Sequence, residues 1–114
     1  RMRLECRIDD QREAGRLRSL VEREVLRALG AHRRRIARVE VALHPEGRVQ
    51  GCRLGVAFSP AGSLSLAATG ETSEEALAAV LERAAQAVRR ELVRRRGLAD
   101  ARALLRPLAP AFAR

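Results

Sequence analysis

The chain has 114 residues and a formal charge of +9, carried by 23 arginines and no lysine. That length supports one domain with one modest core, and 46% apolar residues favour a folded domain over a disordered tail. No apolar run reaches the roughly 18 residues of a membrane span, the N-terminus lacks the apolar stretch of a secretory signal, and two distant cysteines, Cys6 and Cys52, exclude a zinc-finger spacing.

Arg1 precedes the sole methionine, Met2, which fits either an added residue or a piece of a longer protein. From Met2 to Ile8, Met2, Leu4, Cys6 and Ile8 alternate with polar residues, the period of a half-buried strand. Asp9 and Asp10 then offer a helix N-cap. A helix follows, with Ala14, Leu17, Val21, Val25 and Ala28 on one stripe and a stop near Gly30 or within His32–Arg35. Residues 38–43 alternate again, with Val39, Val41 and Leu43 on one face. The stretch 44–51, containing Pro45, Gly47 and Gly51, reads as a turn. Two more alternating runs, 52–58 and 64–70, flank a turn at 59–63 and complete an antiparallel meander. Thr72 with Glu75 three places on is a capping box. It opens a second helix whose stripe is Leu77, Leu81, Ala84, Val88 and Leu92, with Gly97 as its stop. Residues 98–114 read as a short tail, partly helical before Pro107 and irregular beyond it because of Pro107 and Pro110.

The expected architecture is therefore α+β, in the order βαβββα. The first two strands are parallel through a right-handed crossover and the others return by hairpins, giving a four-stranded mixed sheet with both helices on its one apolar face. Residues 1–97 form the domain. A ferredoxin-like alternative needs a strand after the last helix, and the two prolines argue against it. Both cysteines fall on core-facing positions, so buried thiols are expected, which fits a reducing cytoplasm.

The arginines are not scattered. On a helical wheel Arg12, Arg16, Arg23 and Arg27 lie nearly opposite the first helix's apolar stripe, with Glu13, Glu22 and Glu24 off that sector. Arg83, Arg90 and Arg94 lie nearly opposite the second stripe, flanked by Arg89, Arg95 and Arg96. Any amphipathic helix keeps its charges opposite its core, but two such stripes on one side of a sheet make a broad cationic surface suited to a polyanion. The chain has no Trp or Tyr, and Phe58 and Phe112 are its only aromatics. It therefore lacks the stacking platforms used to bind bare single strands and the strand aromatics of an RRM. Guanidinium–phosphate contacts to a folded RNA fit better.

The reading as an enzyme is weak. His32 and His44, the only histidines, sit beside a turn or a helix end, and no phosphate loop or nucleophile elbow appears. The Glu71, Glu74 and Glu75 cluster serves helix capping. No cofactor, metal or small-molecule substrate is expected. A protein-interaction module binding an acidic partner through the same arginines is the competing reading.

The ordered set of elements, with the stretches VEREVLRALGAHRRRIARVEVAL and LAATGETSEEALAAVLERAAQAVRREL, resembles the ribosome hibernation promoting factor/RaiA family over about residues 2–96. The resemblance implies a fold similar to double-stranded RNA-binding domains and binding to the small ribosomal subunit between head and body. There it would overlap messenger and transfer RNA sites, so that translation stops and idle ribosomes are protected. It implies that Arg16, Arg23, Arg27, Arg83, Arg89, Arg90, Arg94, Arg95 and Arg96 contact ribosomal RNA, with Arg33, Arg34 and Arg35 at the first helix's exit added to that set. The residues after Gly97 are too few for the separate C-terminal domain of the family's long form, which implies a short form or a fragment. The absence of lysines and of aromatics on the binding face departs from typical members.

Overall fold

The computed structural model describes residues 2–105. Its elements are β1 (Arg3–Ile8), α1 (Ala14–Leu29), a 3₁₀ segment (Gly30–Arg35), β2 (Ile36–Glu46), β3 (Val49–Phe58), β4 (Ser63–Gly70) and α2 (Ser73–Leu105). The sheet runs β1-β2-β3-β4, with β1 parallel to β2 and the other pairs antiparallel, as the alternation and crossover require. This is the βαβββα arrangement of an α+β fold.

Period-two patterning fixes which face is buried, because a one-residue slip would turn every inward side chain outward. Val39, Val41 and Leu43 of β2 and Cys52, Leu54, Val56 and Phe58 of β3 are buried. Leu17, Val21, Val25 and Leu29 of α1 cover one part of them, and Leu77, Val80, Leu81, Ala84 and Val88 of α2 the other. Each such side chain contributes roughly 1.5–3 kcal/mol on leaving water. The opposite sheet face carries Arg3, Glu5, Arg7, Arg38, Glu40 and Arg53, all exposed.

Three local expectations need correction. The turn foreseen over 44–51 is only Gly47 and Arg48, because His44 and Pro45 pair with Gly51 and Gln50. Pro45 is tolerated there because β1 ends at Ile8, opposite Leu43, leaving β2 an open edge beyond it. Gly47, at φ 66°, takes the first place of the two-residue turn. Next, α1 starts at Ala14 rather than directly after Asp9–Asp10. Asp10 instead accepts the Arg12 N–H through Oδ1 at 3.0 Å and closes a preceding turn. Finally, Gly97 does not stop α2, which continues to Leu105. One interior glycine costs about 1 kcal/mol, and the alanines and leucines of 98–105 are good helix formers. The irregularity expected from Pro107 and Pro110 falls outside the described residues.

The second helix begins as foreseen. Thr72 Oγ1 accepts the Glu75 N–H at 3.1 Å, and Glu75 Oε1 accepts the Glu71 N–H at 3.2 Å.

Candidate nucleic-acid interface

Topology decides where the arginines meet. Strands β1 and β4 both run parallel to β2, and each is followed by a helix that returns across the sheet. The two helices therefore point the same way, with their N-terminal ends together and the end of α1 beside the middle of the longer α2. An ion pair marks the N-terminal ends: Arg16 donates to Glu13 at 2.6 Å and to Glu74 at 2.7 Å, joining α1 to α2. That bond to Arg16 holds the Glu74 carboxyl below its usual value. Asp9, Asp10, Glu71 and Glu75 lie in the loop and helix start at the same end.

The opposite end of α1 is basic, and so is the part of α2 beside it. The 3₁₀ segment after α1 carries Arg33, Arg34 and Arg35, and the middle stretch of α2 carries Arg89, Arg90, Arg94 and Arg96. Between these walls lies a cleft of ≈ 440 Å³, lined by Ala31, His32, Arg33, Arg34, Arg35, Arg89, Leu92, Val93 and Arg96. No carboxylate lines it. Among the described residues, none of its five arginines is in an ion pair, and of their side chains only that of Arg33 is hydrogen-bonded, to the Gly30 carbonyl at 3.0 Å. The Arg33–Arg35 wall follows the negative end of the α1 dipole at Leu29, which offsets part of the arginines' mutual repulsion.

The β3–β4 loop braces this cleft. Ser59 N–H donates to the Arg35 carbonyl at 2.9 Å, which fixes one wall. From the other wall, Arg95 donates through Nη2 to the Ala61 carbonyl at 2.6 Å and through Nε to Glu91 at 2.8 Å. Its guanidinium carbon stands 4.6 Å from the centre of the Phe58 ring, a cation–π distance. Gly62, at φ 96°, lets the guanidinium in, because a Cβ there would collide with Arg95 Nη2.

The twelve arginines singled out from sequence thus fall into distinct groups. Arg33, Arg34, Arg35, Arg89 and Arg96 converge on the cleft, and Arg90 lies exposed on the same part of α2. Arg94 is exposed but bonded to Glu91 at 2.6 Å. Arg95 is turned inward and only 19% exposed, so it holds the loop instead of presenting a free charge. Arg83 lies against the edge of β4 and donates to the Ala67 carbonyl at 3.0 Å. Arg23 and Arg27 share Glu24, each at 3.4 Å, and Arg16 stands at the acidic end. Glu13 and Glu24, although off the basic sector, still pair with Arg16, Arg23 and Arg27, because neighbouring side chains and those three residues apart on a helix reach one another. Besides the exposed arginines on the outer faces of both helices, one concentrated basic cluster stands where the 3₁₀ segment meets α2. Sequence reading missed Ala31, His32 and Val93 as site residues, and Leu92, read as part of the apolar stripe, packs against the core and also borders the cleft. Directions of chain travel alone would have brought residues 31–35 and 89–96 together.

Among the described residues, no helix is long and apolar enough to cross a membrane, and no group of three or more His, Cys, Asp or Glu is arranged to hold a metal. The free Cys52 thiol is pushed up to about 12 by burial, and that of half-buried Cys6 is also raised by burial. Neither is a nucleophile at neutral pH.

Solved structures that share this fold include two from bacteria. A ribosomal subunit interface protein from Coxiella burnetii aligns at a TM-score of 0.71 and 13% identity, over 81% of this chain and 99% of that one. The N-terminal domain of Protein Y from Thermus thermophilus aligns at 0.64 and 16% identity, over 75% and 93%. At such identities the likeness is one of fold. No family model and no curated protein matches the sequence.

Proposed function

We propose that this protein associates with the ribosome, binds ribosomal RNA of the small subunit through its basic end, and thereby inhibits translation. The observation that carries this reading is the convergence of Arg33, Arg34, Arg35, Arg89 and Arg96 on one acid-free cleft. The shared fold with a ribosomal subunit interface protein supports the choice of ribosome over other polyanions. Folded RNA brings phosphates from separate strands close together, and a braced concave cluster of guanidinium groups matches that density. The opposed acidic end, with Glu13, Glu71, Glu74 and Glu75, would orient the molecule as it approaches RNA. The binding unit in this reading ends with Arg96, inside the 1–97 domain, and the protein works in the cytoplasm as a hibernation factor.

A cell-free translation reaction tests this reading. Purified protein added at a small excess over ribosomes should stop synthesis, and Arg89→Glu/Arg96→Glu should restore it. Undiminished synthesis at saturating protein would reject inhibition. A second reading, docking on a protein partner, draws on the exposed Leu98, Leu104 and Leu105 of α2. It predicts that polar substitution of those leucines, and not of the arginines, abolishes activity.

A further inference from the structure

The cleft is not uniformly charged. Leu92 and Val93 form an apolar panel on its α2 wall, and Val93 is 65% exposed. Arg89 and Arg96 bracket that panel at a separation of seven residues, about 10.5 Å along a helix. The cleft volume of ≈ 440 Å³ lies within the roughly 300–1,000 Å³ of pockets that enclose a small molecule. A continuous duplex presents a row of phosphates and leaves the apolar panel facing water. An unpaired nucleotide presents both parts: phosphates on either side and a base whose face can lie on apolar atoms and on guanidinium planes.

We propose that the cleft takes one unpaired nucleotide of a folded RNA. The base lies on Val93 and Leu92, and the flanking phosphates lie on Arg89, Arg96 and the Arg33–Arg35 wall. This rests on the RNA-binding reading above and adds to it a preference for irregular over continuous RNA helices. The preference follows from the panel, because the arginines alone bind phosphate wherever it occurs.

Two labelled RNA hairpins of identical stem and loop, one carrying a single extra unpaired nucleotide in mid-stem, are titrated with the full chain at about 0.15 M salt. The bulged hairpin should bind about fivefold tighter, the gain from covering roughly 40 Å² of apolar surface with the base. Val93→Asn should bring the two affinities within about twofold of each other, because the apolar surface under the base is lost. A thermal melt confirms that the variant is folded. Equal affinity of the parent for both hairpins would overturn the single-nucleotide cleft and leave RNA binding standing, as would a preference that survives Val93→Asn. Binding to neither hairpin would overturn both.

Discussion

Replacing Arg89 and Arg96 together by alanine changes the electrostatics of the cleft without touching the core, since both side chains are exposed on α2. Five unpaired arginines line the cleft. If each neutralises one phosphate, the slope of log K against log salt is about −3.5 to −4.5, from roughly 0.7–0.9 per phosphate. A fourfold rise in salt, from about 50 to 200 mM, then weakens binding by roughly 130- to 500-fold. Removing two of the five arginines leaves a slope of about −2.1 to −2.7 and a loss of only about 20- to 40-fold over the same range. Fluorescence anisotropy on a labelled hairpin across a salt series measures both slopes. Exposed Arg→Ala changes on a helix shift stability by no more than about 0.5 kcal/mol, so the melting temperature should stay near that of the parent. A slope in the variant equal to the parent's would refute the assignment of these residues to phosphate contacts, whatever happens to the absolute affinity.

Other consequences concern the brace and the buried groups. Arg95→Ala removes a charged hydrogen bond to Ala61 and the contact with Phe58, a loss of about 2–3 kcal/mol. Calorimetry should show the melting temperature falling by about 10–20 °C, and a parent-like melt would contradict the brace. The Glu91 carboxyl is pulled down to about 2, first by Arg94 and then by Arg95, from an ordinary value of 4.5. Its ion pairs therefore stabilise the fold fully above about pH 4.5 and are lost as the pH falls towards about 2. Glu91→Gln should flatten the decline of melting temperature across that window, and coincident profiles for parent and variant would count against the pairing. Cys52, buried and with its thiol pushed up to about 12, should resist iodoacetamide in the native protein and react once denaturant is added. Rapid native labelling would show that β3 is not packed as described.

Much of the fold is written locally. The strand alternation of Leu4–Cys6–Ile8 and Val39–Val41–Leu43, and the Thr72–Glu75 box, depend on neighbours within a few residues, and all keep their roles in the structure. Gly97 and Pro45 misled because their effects depend on what stands opposite. Gly97 has no other group within 4 Å of where its Cβ would be, so neighbouring helix formers decide its conformation. Pro45 lies past the end of its neighbouring strand. The site was legible as composition but not as geometry. Arg95, seven residues after buried Val88, falls on the apolar stripe of the wheel, but its partners Phe58 and Ala61 lie more than 30 positions away. Arg16 and Arg83 likewise satisfy partners on other elements, Glu74 and the Ala67 carbonyl. Such pairings follow from tertiary approach and leave no local signature. The cleft itself joins chain segments about 60 residues apart, and only the shared direction of the two helices brings them together.

Co-sedimentation with separated small and large ribosomal subunits, at about physiological salt, tests the central claim most directly. The parent protein should pellet with the small subunit at a saturating ratio of about one to one, and Arg89→Glu/Arg96→Glu should remain in the supernatant. Retention of that variant on the small subunit, or equal sedimentation of the parent with both subunits, would contradict the account.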